Sequence, residues 1–118
     1  MTIKHHLNQK TKRAIRVRSK IHGTASRPRL SVSRSSQHLQ AQLINDDQRL
    51  TLLGLSTSTL KKTKNLTKTD LAKQLGTEFA KLALKQDINQ AIFDRGGNRY
   101  HGRIKAFAQS ARDAGLKI

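Results

Sequence analysis

The chain has 118 residues and a formal net charge of +17, from 24 lysines and arginines against 7 aspartates and glutamates. This length suits one domain with a single core and is too short for two. The absence of cysteine excludes disulfides, thiolate zinc sites and thiol nucleophiles and fits a reducing compartment. No apolar run approaches the roughly 20 residues that cross a bilayer, so we expect no membrane association. So large a positive charge predicts a polyanionic partner.

Residues 1–26 are predicted to be a basic arm, because the first acidic residue of the chain is Asp46. We expect the segment Asn8 to Ile21 to be frayed alone and helical once phosphates neutralise its like charges. A disordered, solubilising tail is the alternative interpretation. The arm residues predicted to bind the polyanion are Lys10, Lys12, Arg13, Arg16, Arg18 and Lys20.

Residues 27–118 are predicted to form one α/β domain that follows a short hinge at residues 23–26. After Pro28 the side-chain period changes to two, which predicts a hairpin with one apolar face and a turn at residues 35–37. A third strand at residues 50–55 completes an antiparallel meander. Cationic and polar residues at the domain entrance and the hairpin turn are further candidate contacts to the polyanion, namely Arg27, Arg29, Arg34, Ser36 and His38.

The second half of the domain predicts a polar loop at residues 56–68, two helices and one further strand. The first helix opens with a capping box at Thr67 and Asp70. A short buried strand at residues 90–93 follows this helix, which implies a parallel crossover connection. The second helix carries an apolar stripe from Ile104 to Ala114 and is predicted to end at Gly115. The predicted fold is therefore a mixed four-stranded sheet flanked by helices, with a basic helical arm.

The connection from Phe93 to Arg103 is the predicted centre of the binding site. It places donors for phosphates and base edges, together with an aromatic ring, between a strand and the start of a helix, where the helix dipole attracts anions. Gly96 and Gly97 fit neither a nucleotide P-loop nor the dinucleotide fingerprint, and a plain turn with solvated arginines would also explain them. The candidate residues are Arg95, Asn98, Arg99, Tyr100, His101, Arg103 and Lys105.

Two stretches of the chain resemble one known family. The first stretch is Arg27-Pro28-Arg29-Leu30-Ser31-Val32, together with Arg34, Ser35 and His38. The second stretch runs from Phe93 to Leu116 and contains the elements FDRGG, YHGR and Ala-Arg-Asp-Ala-Gly-Leu. Together they look like ribosomal protein eighteen of the bacterial large subunit, a family that binds 5S ribosomal RNA. The similarity follows the family's order over nearly the full chain.

The resemblance implies a sheet with strand order three, two, one, four and a place in the central protuberance of the large subunit. The implied partners are 5S rRNA, 23S rRNA and neighbouring ribosomal proteins, with no cofactor, metal or small-molecule substrate and no enzymatic activity. The implied location is the ribosome of the cytoplasm, or of an organelle. Ser33, Gln40 and Asn98 stand where the family often carries aromatics, so phosphate and shape contacts should outweigh base stacking here.

Two other functions remain open on the residues alone. A ribonuclease H-like nuclease would need carboxylates that converge on two metal ions, but only Asp94 lies at a suitable sheet position, and it more plausibly caps the turn or orients Arg95. A DNA-compacting protein would bind duplex DNA as well as folded RNA, although the chain has neither a helix-turn-helix nor a zinc-finger pattern.

Overall fold

The computed structural model of the chain describes residues 8–18, 20–60, 67–96 and 98–118. The helices are α1 (Gln9–Arg18), α2 (Lys68–Lys85) and α3 (Gly102–Asp113). The strands are β1 (Arg29–Arg34), β2 (Leu39–Asn45), β3 (Leu50–Ser56) and β4 (Ile92–Asp94). A single 3-10 turn at Thr57–Thr59 follows β3. In these ranges the fold is the predicted mixed α/β sheet with its basic helical arm.

The four strands form one sheet in the order β3-β2-β1-β4, as the resemblance implied. β1 pairs antiparallel with β2, and β2 pairs antiparallel with β3. β4 pairs parallel with β1, with Leu30 opposite Phe93. The chain reaches this parallel position only after α2, so the predicted crossover connection is confirmed.

The alternation of apolar and polar residues in β1 and β2 directs one face of the sheet inward. Leu30, Val32 and Leu43 are fully buried on that face, whereas Gln40 and Gln42 are exposed on the other. Helices α2 and α3 pack side by side over the buried face. The opposite face of the sheet is polar, and its part around Gln40 and Gln42 stays open.

The contact between the two helices depends on one aromatic pair and one glycine. The rings of Phe79 on α2 and Phe107 on α3 meet edge to face, with centroids 5.9 Å apart, and both are fully buried. At Gly76 of α2, an added Cβ would lie 2.5 Å from the carbonyl oxygen of Phe107. The absence of a side chain there is what allows α3 to approach so closely.

Helix α2 begins as its sequence predicts. The Thr67 hydroxyl accepts a hydrogen bond from the backbone N–H of Asp70, and the Asp70 carboxylate accepts one from the backbone N–H of Thr67. These reciprocal bonds satisfy two donors that the first helical turn leaves without intrahelical partners. The capping box is confirmed, with aspartate in place of the usual glutamate.

The boundaries of the fourth strand and of the polar loop differ from the predictions. The fourth strand is shifted along the chain, because Gln90 bridges to Lys117 and the N–H of Ala91 donates to the Lys117 carbonyl, which removes both residues from pairing with β1. The predicted polar loop starts with an ordered turn, since Thr57 is buried and Leu60 packs against the core. Residues 61–66 of that loop, with Lys61, Lys62 and Lys64, lie outside the described residues.

The predicted hinge at residues 23–26 is wrong at its first residue. Gly23 is buried, and an added Cβ would lie 2.3 Å from the backbone nitrogen of Arg29 and 2.5 Å from the carbonyl oxygen of Ile44. Its N–H donates to the Asp46 carboxylate at 2.7 Å, and its carbonyl accepts from the Asp46 N–H at 2.9 Å. The end of the arm is thus packed against the sheet.

Candidate nucleic-acid interface

We call the connection between β4 and α3 the arginine loop (residues 95–101, with Gly97 outside the described residues). Asp94, at the end of β4, holds the start of this loop. One oxygen of its buried carboxylate accepts a hydrogen bond from the N–H of Gly96 at 2.9 Å. Gly96 adopts a φ of 59°, a left-handed conformation that favours glycine. The prediction that Asp94 caps the turn is confirmed. The alternative role for Asp94, orienting Arg95, is not the pairing in the structure, because Arg29 is its guanidinium partner.

The second half of the arginine loop is held by Arg112 on the last turn of α3. Its guanidinium donates a hydrogen bond of 2.7 Å to the Tyr100 hydroxyl and lies 5.9 Å from the centre of the Tyr100 ring. The edge of that ring meets Phe93 of β4, with centroids 6.0 Å apart. Tyr100 nevertheless keeps 38% of its surface exposed.

The hairpin turn between β1 and β2 lies beside the start of α3. Arg103 in the first turn of α3 donates to the carbonyl oxygen of Ser35 at 2.7 Å. Partial burial, together with the positive charge of Arg34, lowers the pKa of Arg103 from its ordinary value. Two guanidinium groups of like charge therefore repel each other here, and an anion placed beside them would relieve that repulsion.

The arm helix, the hairpin turn and the arginine loop together enclose an open cleft of about 510 Å³, which we call the hairpin cleft. It is lined by Lys10, Arg13, Arg34, Ser35, Ser36, Asn98, Arg99, His101 and Gly102. None of these lining residues is acidic. His101 is the N-cap of α3 and makes no side-chain capping bond in the structure. The positive end of the α3 dipole therefore adds to the attraction of the cleft for anions.

A second open cleft of about 410 Å³, the arm cleft, lies between α1 and the arginine loop. It is lined by Arg13, Arg16, Lys20, Ile21 and Arg95. Arg13 lines both clefts. The tertiary structure thus joins cations that stand some 80 residues apart in the sequence into one continuous positive surface.

Arg29 is placed differently from the other predicted contacts. Its side chain is only 12% exposed, and it donates to the carboxylates of both Asp46 and Asp94. Burial acts to lower the pKa of Arg29, but these hydrogen bonds and the two negative charges outweigh it and raise the pKa. The structure gives Arg29 a role inside the fold, and we remove it from the proposed interface.

Arg18 also makes hydrogen bonds within the fold. Its guanidinium donates to Asp46 at 3.1 Å and to the carbonyl oxygen of Ile21, and its side chain stays 42% exposed. His38 is half-buried, with Nδ1 3.3 Å from the hydroxyl of the buried Thr57. Both are therefore weaker candidates for RNA contact than the residues that line the clefts.

Three remaining candidates are exposed but line neither cleft. Lys12 lies on α1 and Lys105 on α3. Arg27 lies in the turn before β1, where its N–H donates to the Thr24 hydroxyl at 3.2 Å and its carbonyl accepts from the Thr24 N–H at 3.0 Å. The structure therefore does not bring these three residues into either cleft.

Some functional features escaped the sequence reasoning. The Lys68 ammonium donates to the carbonyl oxygen of Ser36 and so fastens the hairpin turn to α2. The roles of Ser35, Arg112 and Asp46 depend on residues that are distant in the chain, and no local pattern indicates them. The position of the arm beside the arginine loop likewise depends on residues that are distant in the chain.

The described residues contain no group of three or more His, Asp or Glu side chains placed to hold a metal ion. Asp46 and Asp94 are the nearest approach to such a site, but the Arg29 guanidinium lies between their carboxylates. Within the same ranges, no helix combines the length and the apolar character needed to cross a bilayer.

A small mixed α/β scaffold with two adjoining cationic clefts defines a nucleic-acid-binding protein. Comparison with known proteins narrows this class. Residues 4–118 match the family described as ribosomal L18 of archaea, bacteria, mitochondria and chloroplasts. The chain belongs to this family, which consists of structural ribosomal proteins and not of enzymes.

The sequences of individual relatives align with almost the whole chain. The large ribosomal subunit protein uL18 of Clostridium novyi (strain NT) is 48% identical over 110 residues, which cover 92% of each chain. The protein of the same name from Spiroplasma kunkelii is 45% identical over 110 residues, covering 93% of this chain and 91% of the relative. That of Bacillus mycoides (strain KBAB4) is 48% identical over 110 residues, covering 91% and 90%. The resemblance stated from the sequence is confirmed.

Proposed function

We propose that the protein is a constituent of the large ribosomal subunit that binds 5S rRNA and helps attach it to 23S rRNA in the central protuberance, beside neighbouring ribosomal proteins. Membership of the ribosomal L18 family and the names of its bacterial relatives support a place in the ribosome. We assign it to the cytoplasmic ribosome of a bacterium, in keeping with the bacterial relatives. It acts by binding, without a cofactor or a small-molecule substrate.

The observation that carries the RNA-binding part of this proposal is the pair of adjoining clefts lined by cations from three separate segments, the arm, the hairpin turn and the arginine loop. Arg34, Arg99 and Lys10 reach the hairpin cleft, and Arg16 and Arg95 reach the arm cleft. Guanidinium groups suit phosphates because they donate in a planar, bidentate geometry. Two clefts that share Arg13 suit a polyanion better than a single small anion.

Recognition of folded RNA requires more than charge. Asn98, His101 and Ser36 add hydrogen-bonding groups to the wall of the hairpin cleft. Tyr100 is 38% exposed and stands in the chain between Arg99 and His101, which both line this cleft. Side chains of these kinds read unpaired nucleotides by stacking and by bonds to their base edges. We therefore propose that phosphates bind along the arginines and that a looped nucleotide lies near Tyr100.

The test is a titration of labelled 5S rRNA with the full chain, in an excess of either transfer RNA or duplex DNA. We expect binding to persist in both competitors. The double variant Arg95→Ala, Arg99→Ala should bind at least tenfold more weakly, because each lost charged contact contributes about 1.5–3 kcal/mol before compensation. Arg103 is left intact because its bond to Ser35 supports the hairpin.

The matched control is Lys73→Ala, Lys81→Ala, which removes the same charge from the exposed surface of α2, away from both clefts. It should retain nearly all of the affinity. Equal loss in both double variants would indicate general electrostatic attraction and would refute the assigned interface. Displacement of 5S rRNA by duplex DNA would favour the DNA-compacting alternative.

A further inference from the structure

Asp46 connects three parts of the chain that are separate in sequence. Its carboxylate accepts hydrogen bonds from Arg18 at the end of α1, from the N–H of Gly23 in the segment that follows, and from Arg29 at the start of β1. Its own N–H donates to the Gly23 carbonyl at 2.9 Å. We call these four residues the arm latch.

The centre of the arm latch, formed by Asp46 and Arg29, is largely shielded from water. The side chain of Asp46 is 9% exposed and that of Arg29 is 12% exposed. Arg29 is held from its other side by Asp94, the residue that also caps the arginine loop. One guanidinium therefore ties the root of the arm to the strand from which the arginine loop leaves.

Gly23 makes the same junction rigid for a steric reason. Its Cα lies so close to β1 and β2 that an added Cβ would overlap the backbone of Arg29 and Ile44. The chain thus leaves the sheet toward α1 along a path fixed by both packing and hydrogen bonds. Arm cations reach the two clefts only if α1 keeps that direction.

We infer that Asp46 is a positioning residue for RNA binding: through Arg18, Gly23 and Arg29 it fixes the direction of the arm helix, so that Arg13 and Arg16 face the arginine loop before RNA arrives. A binding surface that is already ordered avoids the free-energy cost of ordering it on association. The inference rests on the proposed function for its RNA readout. The orientation of the arm can be measured without RNA.

The neighbouring residue provides a matched control. Asp47 also pairs with the arm, through His22 at 2.6 Å, but both of these side chains are 58% exposed. Asp46→Asn and Asp47→Asn each remove one negative charge, so general attraction to RNA should rise equally in both. Any difference between the two variants therefore reports on the geometry that Asp46 imposes.

The first experiment measures the arm directly in the RNA-free protein. Because the chain has no cysteine, nitroxide labels can be placed at Gln9→Cys on α1 and Gln109→Cys on α3, both exposed positions. Pulsed electron paramagnetic resonance should give one narrow distance distribution for the parent and for Asp47→Asn. Asp46→Asn should broaden it. An equally narrow distribution in Asp46→Asn would overturn the inference.

A second variant covers the case in which Asp46→Asn does not fold, as judged by circular dichroism. Arg18→Gln removes the arm's side-chain bond to the latch and leaves the pairing of Arg29 with Asp46 and Asp94 intact. It should also broaden the distribution. A narrow, parent-like distribution in Arg18→Gln would then overturn the inference.

The second experiment measures affinity for 5S rRNA in the full chain. We expect Asp46→Asn to bind roughly tenfold more weakly and Asp47→Asn to bind as tightly as the parent or more tightly. The variant Arg13→Ala, Arg16→Ala should also weaken binding, and its effect should shrink in the Asp46→Asn background because the two changes act through the same contact.

The outcomes separate the two proposals. If Arg13→Ala, Arg16→Ala weakens binding and Asp46→Asn does not, the arm contacts RNA without the latch, and the inference fails while the proposed function stands. If Arg13→Ala, Arg16→Ala leaves binding unchanged, the assigned arm contact fails. The distance measurement then still decides whether Asp46 orients the arm.

Discussion

The repulsion between Arg34 and Arg103 predicts that one substitution will change stability and RNA binding in opposite directions. Arg34→Ala removes an exposed guanidinium that lowers the pKa of Arg103. In the free protein this relieves a like-charge interaction. Because exposed ion interactions contribute about 0–1 kcal/mol, the free energy of unfolding should rise by a few tenths of a kcal/mol or stay unchanged.

In the RNA complex the same substitution removes a phosphate contact from the hairpin cleft. Each neutralised phosphate contributes about −0.7 to −0.9 to the slope of log affinity against log salt, the smaller value applying to single strands. Arg34→Ala should therefore make the slope less steep by roughly that amount, and affinity should fall about tenfold at low salt.

The assay is filter binding of 5S rRNA at five salt concentrations, paired with urea unfolding followed by circular dichroism. Lys81→Ala serves as the control, since it removes one positive charge from the exposed surface of α2 outside both clefts. It should leave the salt slope within error of the parent. A parent-like slope in Arg34→Ala, or a drop of more than about 1 kcal/mol in its stability, would refute the reasoning.

Three further predictions concern the scaffold. Burial acts to raise the pKa of Asp46, but hydrogen bonds from Arg29 and from the Gly23 N–H outweigh it and lower the pKa. The stabilisation that Asp46 contributes is therefore present above its unfolded pKa and is lost as pH falls through the lower pKa of the folded state. The urea concentration at the unfolding midpoint should fall below about pH 4, and it should fall by less in Asp46→Asn. Gly76→Ala should destabilise the fold by about 1–3 kcal/mol despite alanine's better helix propensity, because its Cβ would meet the Phe107 carbonyl; a gain in thermal stability would contradict this. Thr67→Ala should cost about 1 kcal/mol by removing the capping box, with no change in RNA affinity.

The sequence by itself determined the elements and their order. Alternating apolar residues in β1 and β2, the apolar stripe of α3 and the capping box at Thr67 are local patterns, which indicate where an element begins and which of its faces is buried. The charge and the C-terminal motifs likewise sufficed to indicate an RNA-binding ribosomal family. The strand, helix and cap patterns were predictable because each depends on residues that lie close together in the sequence.

Only the tertiary structure decided which cations face a common surface. Arg29 and Arg95 have the same side chain, yet Arg29 is enclosed between two carboxylates and Arg95 lines the arm cleft. The difference arises because Asp46, in the turn just after β2, and Asp94, at the end of β4, both reach Arg29 on the strand between them. Pairing across a sheet joins residues that no local pattern relates, and it therefore determines which charges are neutralised within the fold and which remain available to bind RNA.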